Sequence, residues 1–458
     1  MTAFSLEPAQ LTWCGELRTL AAERLRPLAD KGEPGHVNRA LVAELGALGL
    51  LDRLFTSGAL DLCLMRESLA HACTEAETAL ALQGLGAHPV HAHGTGAQRA
   101  RWLPGVVAGT TVAAFALSEP DAGSDAAALT LTATPPASRP VAGERGGAAA
   151  EAAGSGTSTA PSAESAWATG GTGTARDAVA PAAEDDANVP VPGDRAGAAG
   201  APSDPAVLGA DPDGGSGWRL TGEKCWISNA PEADFYTVFA RTTPGAGARG
   251  VTAFLVPADR PGLSGSPLDM LSPHPIGALA FDAVPVTADD VLGEPDRGFR
   301  VAMDTLNLFR PSVGAFAVGM AQAALDATVA HTTSRDAFGG KLRDLQTVAH
   351  QVAEMSLRTE AARLMVYAAA TAYDEGAPDV PRRAAMAKLL ATETAQYVVD
   401  RAVQLHGARA LRRGHLLEHL YREVRAPRVY EGASEVQRGI IAKELYRTHD
   451  TTTEEAGT

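Results

Sequence analysis

Apolar residues recur at three- and four-residue spacing over the first hundred or so positions and again from about Gly298 onward, which predicts helices at both ends of the chain. Pro8 to Arg26, Asn38 to Leu51 and Leu60 to Gly86 read as helical. Val42, Leu45, Leu48 and Leu51 fall on one face, and Asn38 is placed to cap the N-terminus. From about Val112 the period shortens. Val112–Leu117, Trp218–Thr221, Phe235–Ala240, Val251–Val256 and Ile276–Phe281 are short apolar runs between Gly and Pro clusters, as in an antiparallel β domain. Beyond Gly298, the residues Leu345, Val348, Val352, Met355, Thr359, Ala362 and Val366 form a bundle-type stripe with one polar member. Further helices are predicted from about Pro381 to Leu405 and from Ser434 to Thr448.

Residues from about 135 to 217 break this pattern. They are mostly Ala, Gly, Ser, Pro, Thr, Asp and Glu, with few large apolar residues. Such a segment cannot bury enough surface to offset its ordering entropy. It reads as a disordered insertion in a hairpin loop, which a fold tolerates because loop closure costs little with length. The predicted class is therefore α+β: an N-terminal helical domain (1–111), a central β domain (112–294) carrying the insertion, a C-terminal four-helix bundle (295–448) and a flexible tail (449–458).

Composition narrows the function. The 458 residues are 45% hydrophobic, enough for a large core, and carry a net charge of −15. That charge argues against nucleic-acid binding and against docking on an anionic membrane. Four cysteines (Cys14, Cys63, Cys73 and Cys225) form no C-x-x-C pair, so reduced thiols and a cytoplasmic location are expected. The N-terminus lacks the pattern of a signal peptide, and no apolar run of about 18 residues is evident, so no membrane partner is expected.

Candidate chemistry sits in three blocks. In Val429-Tyr430-Glu431-Gly432-Ala433-Ser434-Glu435-Val436-Gln437-Arg438 one carboxylate, Glu431, lies near the start of a helix. A desolvated carboxylate is a stronger base. In Phe115-Ala-Leu117-Ser118-Glu-Pro-Asp-Ala-Gly123-Ser124-Asp125 hydroxyls and backbone N–H groups follow a strand, suited to a ring edge or a phosphate-bearing arm. In Gly222-Glu-Lys-Cys-Trp226-Ile227-Ser228-Asn229 a flat aromatic and a hydroxyl adjoin. The guanidinium of Arg335 suits a diphosphate. His88, His91 and His93 cluster in sequence but lack a further ligand, so no metal is expected, and Lys443 reads as solvated surface.

These blocks, with Arg335-Asp-Ala-Phe338-Gly339 and Gln404-Leu405-His-Gly407 in the same order, closely resemble the acyl-CoA dehydrogenase family over all but the insertion and the last ten or so residues. The resemblance implies an FAD enzyme of fatty acid β-oxidation. Glu431 would take the α-proton of an acyl-CoA while hydride passes from the β-carbon to flavin N5, giving the trans-2-enoyl-CoA. The base residue's own N–H would hold the thioester oxygen. It also implies FAD contacts from Phe115, Leu117, Ser118, Gly123, Ser124, Trp226, Ile227, Ser228, Ser434 and Glu435. Arg335, Phe338, Gln346, Gln404, Leu405 and Gly407 would add contacts, the Arg335, Gln346 and Gln404–Gly407 groups across a subunit interface. Substrate contacts are implied for Ser124, Asn307, Arg310, Tyr430 and Gly432. An electron-transferring flavoprotein and a homo-oligomer, usually a tetramer, are the implied partners.

The chain departs from the family pattern at Ala408 and Ala410, where glycines are usual, at Ala433, often Thr, and at Asn307, often Asp. Phe309 occupies the alternative base position, leaving Glu431 alone, and Ala76 replaces the arginine of members that take a dicarboxylic substrate. Two other readings are open: the same reaction on an acyl group tethered to a carrier protein, and a catalytically silent FAD-holding scaffold.

Overall fold

The computed structural model describes residues 6–135 and 217–456; most of the predicted insertion lies outside the described residues. The first helices are α1 (Pro8–Leu20), α2 (Arg26–Ala29), α3 (Arg39–Ala47), α4 (Leu50–Thr56), α5 (Ala59–Ala72), α6 (Thr74–His93) and α7 (Gly96–Val107). The strands β1 (Ala113–Ala116), β2 (Thr132–Thr134), β3 (Gly217–Ser228), β4 (Phe235–Arg241), β5 (Val251–Pro257), β6 (Leu263–Pro267), β7 (Ile276–Thr287) and β8 (Val291–Leu292) follow. Then come α8 (Gly298–Ser334), the small hairpin β9 (Asp336–Ala337) and β10 (Gly340–Lys341), α9 (Gln346–Asp374), α10 (Val380–His406), α11 (Leu416–Glu423) and α12 (Ser434–Ala456).

Local chemistry explains most boundaries. The Asn38 side chain accepts from the Leu41 N–H at 3.0 Å, the predicted cap. The helix predicted from Asn38 to Leu51 breaks at Gly49, whose φ of 71° is left-handed. The one predicted from Leu60 to Gly86 is two helices, parted by an extended Cys73. Helix α6 lies so close to β1 that a Cβ on Gly86 would stand 2.6 Å from the Ala114 nitrogen.

The sheet runs β6-β7-β3-β2-β4-β5-β8, with β1 beside β4. It corrects the all-antiparallel expectation: β1 and β2 pair with β4 in parallel. Strands β2 and β3, which flank the insertion, pair antiparallel, as in a hairpin. Helices α8, α9, α10 and α12 form the C-terminal bundle, and α5 joins its core through Leu62, Leu64, Met65 and Leu69. The stripe of α9 packs inward at Val348, Met355, Thr359, Ala362 and Val366.

Two other expectations are corrected. Helix α8 is long and apolar enough by composition to cross a membrane, but 72% of its most apolar window is buried inside the protein, where the bundle covers it. The backbone is helical as far as Ala456, so the last turns of α12 occupy most of the predicted tail. The four cysteines are unpaired. Among the described residues no group of three or more His, Cys, Asp or Glu is arranged to hold a metal. Burial holds His88 down at about 4, and its ring lies edge-on to Phe309 at 6.2 Å.

Candidate active site

Glu431 sits on a tight turn just before α12. Its φ is 51° and that of Gly432 is 96°, so the backbone turns back on itself at the carboxylate. A side chain other than glycine's at 432 would meet the Gln437 amide, 2.3 Å from a built Cβ. Donors hold the three carbonyls of this turn. Lys388 on α10 donates to the carbonyls of Tyr430 at 2.9 Å and Gly432 at 2.6 Å. Gln437 donates to those of Glu431 at 3.2 Å and Gly432 at 3.0 Å. Arg310 on α8 reaches the Glu431 carbonyl at 3.5 Å and Asn307 at 3.3 Å.

The Glu431 carboxylate is treated differently from its backbone. Its Oε2 is buried and has no hydrogen-bond partner among the described residues. Burial pushes its pKa above the ordinary carboxylate range, and the positive charges of Arg66, Lys388 and Arg310 only partly oppose this. Arg66 is itself buried, ion-paired with Glu77 on α6, and donates to the Ser312 hydroxyl at 2.7 Å. The result is a partnerless carboxylate facing three cations at the meeting of α5, α8, α10 and the turn. Such a group can take a proton.

A second platform lies in the β domain. Beyond β1 and Ser118 the chain turns between Glu119 and Ala122, whose backbones bond each other, and Glu119 is buried and fully used. It accepts from the N–H of Thr130 at 2.6 Å, its hydroxyl at 2.8 Å and the N–H of Leu131 at 2.9 Å. It also accepts from Lys224 at 2.8 Å, and Lys224 gives a second bond to the Leu117 carbonyl at 2.9 Å. The Cys225 N–H donates to the Ser118 carbonyl at 3.0 Å, joining β3 to the same loop.

Strand β3 loses register with β7 between Lys224 and Ile227. At this bulge Trp226 adopts φ 58° and is thrown outward, 47% exposed, while Ile227 turns into the core. Ser228 is half-buried beside it, and Gly123 and Ser124 are exposed. Leu117 does not offer its side chain: it is buried in a core cluster, and Phe115 packs at its margin against Phe239 at 4.9 Å. Those two side chains belong to the core of the β domain.

The remaining predicted residues gather elsewhere. Arg335, Phe338, Gln346, Gln404 and Gly407 are exposed around the C-terminal ends of α8 and α10, where His331 and His406 stack at 4.2 Å. Phe338 is 90% exposed with φ 54° at the tip of the β9–β10 hairpin. Leu405 instead packs against the main core. At 1.5 Å per residue this end of α8 lies roughly 36 Å from Arg310, so one chain does not bring the group to Glu431. Ala410 is buried in the core, so its methyl packs inward. Ser434 donates to Glu393 at 2.6 Å, and Glu435 pairs with Arg438 at 3.4 Å on the surface.

Sequence reasoning missed Lys388, Gln437, Arg66, Glu77, Glu119 and Lys224. Glu119 and Lys224 lay inside the motifs already singled out. Lys388 had a signal of its own, a cation within the Ala-rich inward face of α10.

The same order of domains occurs in known proteins. The N-terminal domain model of the acyl-CoA dehydrogenases matches residues 7–110, the middle-domain model 199–284 and the C-terminal-domain model 296–446. A Mycobacterium leprae protein named "Probable acyl-CoA dehydrogenase fadE25" is 38% identical over 236 residues, 51% of this chain and 61% of that protein. The chain thus spans about three-fifths of that relative's length. The mouse mitochondrial short-chain specific acyl-CoA dehydrogenase is 29% identical over 444 residues, 94% of this chain and 89% of the mouse protein. The structure of butyryl-CoA dehydrogenase from Megasphaera elsdenii superposes with a TM-score of 0.75 at 27% identity, over 97% of this chain and 99% of that one. With all three domain models matched in order, the chain belongs to the acyl-CoA dehydrogenase family.

Proposed function

We propose that this protein is an FAD-dependent acyl-CoA dehydrogenase with Glu431 as its catalytic base. The observation that carries the proposal is the buried, partnerless Oε2 of Glu431, fixed on a left-handed turn whose carbonyls are all bonded to donors. Desolvation makes that carboxylate a stronger base than one in water, suited to the weakly acidic proton α to a thioester. The N–H of Glu431 lies on the same turn and is the donor for the thioester oxygen as negative charge grows there. Arg310 and Asn307 stand beside the turn as substrate contacts.

The residues present fit FAD. Trp226 offers an exposed aromatic face on a rigid bulge, with the Ser228 hydroxyl beside it and the Ser118 loop locked by Glu119 and Lys224. When bound there, FAD supplies the acceptor for the β-hydride. Arg335, Phe338, Gln346, Gln404 and Gly407 are too far from Glu431 to serve the same site, which supports their serving the cofactor of another copy, and hence a homo-oligomer, a tetramer as in the family. Electrons then pass to an electron-transferring flavoprotein. The substrate is a short-chain acyl-CoA, as the names of the mouse and Megasphaera relatives suggest. The proposed compartment is the cytoplasm, in keeping with unpaired thiols.

The test is the visible spectrum of the FAD-loaded protein before and after anaerobic addition of acyl-CoAs of graded length. Bleaching by a short chain supports the proposal. A yellow protein that no acyl-CoA bleaches, but an acylated carrier protein does, moves the assignment to the carrier-tethered substrate.

A further inference from the structure

Lys388 is fully buried in the first half of α10, on a face it shares with Ala384, Ala385, Ala391 and Thr392. A cation in such surroundings is costly unless something nearby requires it. Burial pulls its pKa down to about 8, against the pull of the Glu431 charge. Its two hydrogen bonds straddle a single residue: one goes to the carbonyl before Glu431 and one to the carbonyl after it. Holding the turn does not by itself need a charge, because the neutral amide of Gln437 already bonds two of its carbonyls, those of Glu431 and Gly432, the second shared with Lys388.

We propose that Lys388 is a positioning residue for Glu431: its ammonium clamps the backbone on both sides of the base and presents a buried positive charge to the carboxylate. The inference rests on Glu431 being the base. The left-handed turn at Glu431 and Gly432 has intrinsic strain, and a two-point clamp from a rigid helix keeps it from relaxing. The charge favours the ionised carboxylate, which burial alone disfavours. The charged groups facing Glu431 are Arg66 from α5, Arg310 from α8 and Lys388 from α10. Facing Lys388 are Glu431, Arg310, Glu393 and Glu435. Arg66 is paired with Glu77, and Arg310 bonds the Glu431 carbonyl as well as Asn307, so Lys388 is the cation whose bonds go solely to the turn.

The experiment compares wild type, Lys388→Met and Lys388→Arg in the full-length, FAD-loaded protein. The protonation midpoint of Glu431 is read by pH-difference infrared spectroscopy, its carboxyl band identified by its loss in Glu431→Gln. Lys388→Met is expected to raise that midpoint by about one pH unit or more. It should also lower kcat by about tenfold or more with KM little changed, since ground-state binding does not use the clamp. Lys388→Arg keeps the charge and is expected to leave the midpoint in place. An unmoved midpoint in Lys388→Met overturns the inference, as does an equal rise in both variants. If the Met variant does not fold, Lys388→Gln, which also removes the charge, decides: a rise in its midpoint upholds the inference, and no change overturns it. The midpoint is measured without substrate. A protein that turns over no acyl-CoA but shows the shift keeps the Lys388–Glu431 coupling and loses the functional assignment.

Discussion

Replacing Lys224 by methionine separates the platform's stability from its chemistry. Lys224 and Glu119 are both buried, 2.8 Å apart, and Lys224 also holds the Leu117 carbonyl at 2.9 Å. Breaking a buried ion pair by removing one partner costs about 3–5 kcal/mol, because the other charge stays buried. Two features place this case at the lower end. Glu119 keeps three donors from Thr130 and Leu131. The ammonium is itself an unwilling occupant, since burial pulls Lys224 down to about 8. A loss of about 3 kcal/mol is therefore expected, read as a lower urea midpoint at neutral pH. Adding Glu119→Gln should recover at least half of it, because the stranded charge is then gone. The pH dependence follows from Glu119. Burial pushes its pKa up, but Lys224 and the backbone donors outweigh burial and hold it below the ordinary 4.5. The stabilisation this gives is present above that value and is lost as pH falls through the folded-state pKa, so the gap between wild type and Lys224→Met should narrow in acid. A single variant that loses less than about 1 kcal/mol, or a double variant as unstable as the sum of the singles, would refute the reasoning.

Three further outcomes are expected. Trp226→Ala should leave thermal unfolding of the FAD-free protein nearly unchanged, since the ring is 47% exposed, yet weaken FAD retention in gel filtration; equal retention would remove Trp226 from the platform. Gly86→Ala puts a methyl 2.6 Å from the Ala114 nitrogen and should cost about 1–3 kcal/mol by forcing α6 off β1, visible in urea unfolding. Lys224 and Lys388, each pulled from 10.5 to about 8 by burial, bind fewer protons folded than unfolded between those values. Measured against Lys388→Met, which keeps every other titrating group, the urea midpoint of wild type should therefore rise with pH across that window, and a flat or falling difference would contradict the burial of Lys388 as a cation.

What the sequence made legible was local. The 3.6-residue period over α9 and the short apolar runs of β1, β4 and β5 gave the order helices, sheet, bundle, because burial of one face imposes the pattern directly. The cap at Asn38 was readable for the same reason. The break at Cys73 was not, since no Gly or Pro marks it, and parallel pairing of β1 with β4 depends on partners 122 residues apart, Ala113 and Phe235. The site divides in the same way. Glu431, Trp226 and the Ser118 loop sit in contiguous motifs whose residue types announce their chemistry. The charges that govern them come from afar: Lys388 bonds a carbonyl 42 residues away, and Arg66 a hydroxyl 246 residues away. A single lysine or arginine in a helical pattern reads as solvated surface until the fold buries it.

The measurement that bears most directly on Glu431 is deuterium uptake at the α-carbon of a short acyl-CoA in heavy water, followed by mass spectrometry with wild type and Glu431→Gln, both loaded with FAD. The account predicts uptake or dehydrogenation by wild type and a loss of about 100- to 10,000-fold in the variant, with FAD retention unchanged. Undiminished exchange in Glu431→Gln would mean that another group takes the proton, and the assignment of the base would fall.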